Sequence, residues 1–165
     1  MISWPERTRE ERSLLNPSFC ALLLWQAAYA RQQTSQAKLS FDEAFLILPF
    51  VLHRQTREEL PRSARTSLAV WLDQYPLARG RIAAKAKLLV PFTKEALTFA
   101  GVHGFIRIQA GALEADDTRS SEVSATLRQT SDEVQLCAKK AAFVSKWFAQ
   151  AGNAATVFAL IGVRP

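Results

Sequence analysis

Apolar residues recur at helical spacing over most of the chain, broken by proline, glycine and short polar stretches at intervals that suit ordinary helices. Residues 5–13 are charged, enough for a helical turn or two, with Trp4 placed to anchor them. Asn16-Pro17 is a start signal, a capping side chain followed by proline at the first helical position. Behind it Phe19 to Trp25 has no polar break. This predicts a helix from Ser18 to about Gln33, buried on nearly all sides in its first half, followed by a small polar loop from Gln32 to Lys38. Ser40 and Glu43 form a capping box ahead of Ala44 to Leu48, and Pro49 must kink or end that helix because it removes an amide donor. His53 then suits a capping or hydrogen-bonding role at a helix end, and Thr56 with Glu59 makes a second capping box before Pro61.

The middle third changes period. Ser63 is placed to cap a helix from Ala64 to Gln74 with Leu68, Trp71, Leu72 and Tyr75 on one face, ended by Pro76. A second helix, about Leu77 to Val90, carries Ala78, Ile82, Ala86 and Leu89 on one stripe and is expected to close at Pro91. Thr93 would cap a third helix through Val102, turned at Gly101 or Gly104. Phe105 to Gln109 then alternates as a strand, Ala110-Gly111 fits a two-residue turn, and Ala112 to Ala115 pairs back. Three helices and a hairpin give a winged-helix-like unit over 63–115. An ordinary helical domain with one added hairpin is the other reading of the same pattern.

After the hairpin, Asp116 to Ser121 is an acidic loop in which mobility is expected. A long helix from about Glu122 to Ala151 follows, striped by Val134, Ala138, Ala141, Val144, Phe148 and Ala151, and Gly152-Asn153 stops it. The tail Thr156 to Val163 is too apolar to hang free and should return to the core as a short helix or strand. The fold class expected is mainly α with a small β-hairpin. It forms one domain over 1–165, the winged-helix-like unit 63–115 packed between N-terminal helices (1–62) and a C-terminal helix and tail (116–165).

At 165 residues, 48% hydrophobic and 22% charged, the composition is that of a folded globular domain. No apolar run reaches the roughly 20 residues of a membrane span, and the first residues lack the order of a signal peptide, so a cytoplasmic location is expected. Cys20 and Cys137 are single, far apart and in helical pattern, which reads as two buried thiols.

Locating the charge changes the picture more than its total. Between His53 and Ala110 there are 10 Lys and Arg against 4 acids, while the flanks balance, so the whole net charge of +6 lies in the centre. An anionic partner, nucleic acid or an acidic protein face, would be drawn there. Arg54, Arg57, Arg62, Arg65, Arg81, Lys85, Lys94 and Arg107 are the candidate contacts. The arginines of 54–65 fit a docking patch or, equally, salt bridges to Glu58 and Glu59.

Candidate chemistry is sparse. His53 and His103 lie near no cysteine or paired carboxylate in sequence, and no phosphate loop or nucleophile elbow is present, so no catalytic, cofactor-binding or metal-ligating residue is assigned and a non-enzymatic role is expected. The presumed recognition helix offers Lys94, Glu95, Thr98 and His103, poor equipment for reading bases. The cations around it suit phosphate contact without sequence choice, or protein contact.

Several strings resemble a known family. Leu14-Leu15-Asn16-Pro17-Ser18-Phe19-Cys20, the run Phe45-Leu46-Ile47-Leu48-Pro49 through Leu52-His53-Arg54, Thr56-Arg57-Glu58 with Leu60-Pro61, Arg65-Thr66-Ser67-Leu68, and the ending Phe158 to Pro165 are similar to the middle component of bacterial three-component ABC systems. The resemblance implies a small non-catalytic subunit acting between an SMC/Rad50-like ABC ATPase and an effector, often a nuclease. Such systems include Lamassu-like defence against phage and plasmids. It implies an adaptor that bridges or restrains its partners, and the central positive charge adds double-stranded DNA as a further contact. A winged-helix DNA-binding regulator is the alternative reading.

Overall fold

Asn16 accepts from the Ser18 amide at 2.9 Å and Pro17 occupies the first turn, so the expected start signal opens α1, Pro17–Thr34. In the computed structural model, which describes Thr8 and residues 15–34 and 37–164, α1 is the axis of the core. Cys20, Ala21, Leu23, Leu24, Trp25, Ala27 and Ala28 are buried around most of its circumference. It packs against the two other long helices, Pro76–Val102 and Asp132–Ala151. The expected Trp4 anchor and the turn over 5–13 lie outside the described residues.

The chain is mainly helical, with one small antiparallel sheet. β1, Leu39–Ser40, leads into α2, Phe41–Val51, where both halves of the Ser40/Glu43 capping box form. Pro49 sits inside α2, which ends two residues later. The second capping box does not form. His53 itself caps α3, Arg54–Glu59, its ring Nδ1 accepting from the Thr56 amide, while Glu59 turns to Gln55 and Arg81. Ser63 caps nothing either: α4 starts later, as Leu68–Gln74, with Ser67 at its N-cap. The buried indole of Trp147 donates to the Thr66 carbonyl at 2.8 Å, which holds the preceding segment in a non-helical path.

Pro76 separates α4 from α5 as expected, but Pro91 does not close α5, which runs unbroken from Pro76 to Val102. The expected second and third helices are therefore one. Proline removes one intrahelical bond, whereas stopping there would uncover a seam that continues through Thr93, Ala96, Leu97 and Ala100, all buried. Thr93 is not a cap. Its hydroxyl donates to the Leu89 carbonyl at 3.0 Å inside the helix.

The hairpin forms in the expected register: β2 (Ile106–Gln109) pairs with β3 (Ala112–Ala115), Ile108 opposite Leu113. Ala110 and Gly111 both have positive φ, 50° and 73°, as a primed two-residue turn demands. Only part of the expected alternation buries: Ile106 points inward, but Ile108 is exposed. β1 pairs with the other edge of β3, giving the order β1-β3-β2. The helix-then-hairpin order of 63–115 is compatible with a winged-helix-like unit, and its hairpin is braced by a strand from before residue 63.

Asp116 to Ser121 is not a free loop. Asp116 accepts from the Thr118 amide and starts a 3-10 turn, Asp117–Arg119, that leads into α6, Ser120–Arg128. The expected helix of 122–151 is two, because Ser131 caps a new one, α7, Asp132–Ala151. Thr130 bonds back to the Leu127 carbonyl at 2.7 Å, the local competition with helix that Ser and Thr provide. The tail returns as expected: α8, Ala154–Ile161, buries Val157, Phe158 and Ile161 and ends at Gly162, φ 78°.

Buried tryptophans fasten loops to this core. Trp25 donates to the Asp116 carbonyl and Trp71 to the Glu59 carbonyl, so the turns after β3 and α3 are each tied by an indole N–H. Trp71, Trp147 and Phe148 surround Phe50 with ring centroids 5.2–6.4 Å away, edge-on or tilted. One buried ion pair crosses the core: Arg31 of α1 meets Glu43 of α2 at 3.2 Å, and Arg31 Nε donates to Ser145 of α7.

Candidate functional site

Folding sorts the eight candidate cations into three kinds. Arg57 is withdrawn: its side chain is only 3% exposed, Nη1 donates to the Val51 carbonyl at 2.6 Å, and Nη2 pairs with Glu133. Helix α3 buries the side of the turn that bears Thr56 and Arg57, so the sequence expectation of an outward Arg57 is corrected. Arg54, exposed, and Arg81, half-buried, are both paired, Arg54 with Glu58 one turn on and Arg81 with Glu59. The reading that the arginines of 54–65 pair with Glu58 and Glu59 holds for Glu58 alone, since Glu59 takes Arg81 from outside that cluster. The exposed Arg54–Glu58 pair contributes little to stability.

The third kind lies outside any ion pair among the described residues. Arg62 and Arg65 on the irregular 61–66 segment, Lys94 on α5 and Arg107 on β2 are exposed, and none has an ion-pair partner among the described residues. Lys85 is half-buried beside His53. Burial, then the charges of Lys85 and Arg81, lower the pKa of His53, so the ring stays neutral and can accept from Thr56. His103, the other histidine, ends α5 by stacking on Phe99, ring centroids 4.1 Å apart, with Nδ1 2.8 Å from the Phe99 carbonyl. Both histidines are used structurally.

Sequence reasoning missed the outward face of α5. At 27 residues this helix is about 40 Å long. Leu77, Leu88 and Val102 are 77%, 59% and 77% exposed. They stand 11 and 14 residues apart, close to three and four turns, and therefore share one line along the helix. Ala84, Pro91 and Glu95 lie on that line between them, and Lys87 and Lys94, both exposed, flank it. The inward seam of Ala78, Ile82, Ala86 and Leu89 masked this second stripe, since both have helical period and only the packing says which is covered. Single exposed apolar residues are ordinary; these three are aligned, about 16 and 21 Å apart along the helix, with cations beside them.

Among the described residues no group of three or more His, Cys, Asp or Glu is arranged to hold a metal, and no helix is long and apolar enough to cross a membrane. Burial raises the pKa of both cysteines, that of Cys20 to about 12, with the Glu95 charge adding to it. Neither thiol is poised as a nucleophile.

Comparison with known proteins adds one finding. The model of a family described as ABC-three component (ABC-3C) system Middle Component 3 matches residues 4–165. No curated protein and no solved structure matches.

Proposed function

Because the chain belongs to the Middle Component 3 family of ABC-three component systems, we propose that it is a non-catalytic accessory subunit that uses the outward face of α5 to dock onto another protein of its system. It bridges or restrains an SMC-like ABC ATPase and an effector nuclease, in a complex directed against phage or plasmids. The observation that carries this reading is the aligned row Leu77, Leu88 and Val102 with Lys87 and Lys94 beside it. A row of that chemistry fits an amphipathic helix that carries acidic residues along its flank. Long ATPase coiled coils present such helices.

The test is co-purification with the other two components of its system. Wild-type protein should be retained by at least one of them, and Leu88→Asp combined with Lys87→Glu and Lys94→Glu should weaken retention about tenfold or more while leaving the fold unchanged by circular dichroism. Retention of the triple variant at the wild-type level would refute the assignment of the face. Failure of the wild type to bind either component would refute the role.

A second reading rests on the free cations Arg62, Arg65, Lys94 and Arg107. They suit duplex phosphates, as in a DNA-binding regulator or an adaptor that also touches DNA. Binding to duplex would then fall steeply with salt and be lost when these four are changed to Glu. No binding at low salt would end this reading.

A further inference from the structure

The exposed cations Arg62, Arg65, Lys94 and Arg107 differ in what surrounds them. Arg107 stands directly across the hairpin from Glu114, and Asp116 and Asp117 follow on the same strand. Lys94 has Glu95 beside it on α5. A polyanion that approached either would meet carboxylates as well. Arg62 and Arg65 have no such neighbours in sequence, and the 61–66 segment that carries them is fastened to α7 where the Trp147 indole donates to the Thr66 carbonyl at 2.8 Å.

Between that segment and α7 lies a cleft of about 500 Å³. Arg62, Ser63, Lys146 and Gln150 line it, and among its described lining residues there is no Asp or Glu. Lys139, also exposed, stands two turns before Lys146 on the same line of α7, about 10 Å away along the helix. The nearest acid on that line, Asp132, is two turns further back. The C-terminal flank is therefore balanced only in total: its acids all lie at or before Glu133, while Lys139, Lys140, Lys146 and Arg164 follow with no acid among them. None of Arg62, Arg65, Lys139 and Lys146 is in an ion pair among the described residues. Gathered like charges repel one another, so an anion laid along them gains from several at once.

Two cations, a hydroxyl and an amide are the donors that hold phosphate oxygens. A folded acidic protein reaches into a cleft only with a protruding loop, whereas a phosphodiester strand is slender and charged at every residue. Phe143, also in the lining, already stacks on Trp147 and has Lys140 over its ring, which leaves contact to the backbone and no choice of base. We infer that this cleft and the lysine line of α7 hold the phosphodiester backbone of a nucleic-acid strand through Arg62, Lys146 and Lys139, which rests on the second reading above, that the chain touches nucleic acid, and shifts the contact from Lys94 and Arg107 to α7.

Fluorescence anisotropy of the full chain with end-labelled oligonucleotides tests this, using an oligothymidine and a duplex of the same length at several salt concentrations. Wild type should bind, its affinity falling steeply as salt rises. Lys139→Gln with Lys146→Gln, both at exposed positions, should weaken binding about tenfold or more at low salt and reduce the slope of log affinity against log salt by about 1–2. Lys94→Gln with Arg107→Gln removes the same charge and should change binding less than about threefold. Tighter binding of the oligothymidine would assign the cleft to an unpaired strand and tighter binding of the duplex to the edge of a double helix, and either supports the site. An α7 variant that binds like wild type, or equal losses in the two pairs, would overturn the placement and leave the second reading standing. Displacement of the oligonucleotide by polyglutamate at equal charge concentration would assign the cleft to an acidic protein and overturn it. No binding by wild type to either oligonucleotide at low salt would end the second reading and this site with it.

Discussion

Neutralising one side of the buried Arg31–Glu43 pair should damage the fold far more than neutralising both. The two side chains are 2% and 3% exposed and meet at 3.2 Å. At an effective dielectric constant of 20 their attraction is about 5 kcal/mol, and taking both ions out of water costs several kcal/mol each, so the pair contributes little net stability. What it does is make each charge tolerable. Arg31 has a second partner in Ser145 at 3.4 Å, and Glu43 a second in the Ser40 amide at 3.0 Å, neither of which replaces a full opposite charge.

Glu43→Gln keeps a capping-box side chain at that position and strands the guanidinium; Arg31→Met keeps the volume and strands the carboxylate. Each single change should cost about 3–5 kcal/mol, a large share of the 5–15 kcal/mol that holds a typical domain folded. The double change should lie within about 2 kcal/mol of wild type, because no orphaned ion remains. Urea unfolding followed by tryptophan fluorescence and by circular dichroism, with equal m-values across the four proteins, gives these differences. Single variants that cost less than about 1 kcal/mol, or a double variant that costs the sum of the singles, would refute the reasoning.

Pro91→Ala should restore a backbone bond inside α5 and raise stability by about 1–3 kcal/mol, seen as a higher midpoint of thermal unfolding; a lower midpoint would show that the ring's packing outweighs the lost bond. His53 has a folded pKa below its ordinary 6.5, chiefly from burial, so the unfolded chain takes up the proton first. Its contribution is therefore complete above about pH 6.5 and is lost as pH falls through the lowered folded value, and His53→Asn, a capping residue that does not titrate there, should flatten that acid limb; an imidazole NMR midpoint at or above 6.5 would contradict this. Cys20, raised to about 12, and Cys137, also raised, should resist a thiol-directed reagent at pH 8 in the native protein and react only on unfolding; stoichiometric labelling of the native chain would show that one of them is open to solvent.

The sequence was most legible where the deciding interaction is local. Asn16-Pro17, the Ser40/Glu43 box, the Ala110-Gly111 turn and the Gly152 stop all formed where they were read, because each is settled by a side chain or a φ preference within a few residues. It misled where two local signals competed. Ser63 and Ser67 are both acceptable caps, and the Trp147 indole, more than 80 residues away in sequence, selects the second. Ser131 carried a legible cap signal, acids following it in the first turn, that the continuous apolar stripe overrode.

The candidate site divides in the same way. Placement of the excess charge between His53 and Ala110 needed only counting, and the family strings needed only order along the chain. Which cations reach solvent did not follow from counting. Arg54 and Arg57 are three residues apart and so within about 60° of each other around the helix, yet the first is exposed and the second is buried against Val51 and Glu133.

By itself the sequence determined most of the residues that must be hidden, where α1, α2 and α5 begin and the family to which the chain belongs, since these depend on periodicity, capping groups and residue order. Tertiary structure alone decided that α5 passes through Pro91, that its outer row stays uncovered and that Arg57 is buried. A local preference or a lost helix bond is worth from a few tenths to about 3 kcal/mol, while the seam α5 makes with α1 and α2 buries several side chains together, and the larger sum prevails.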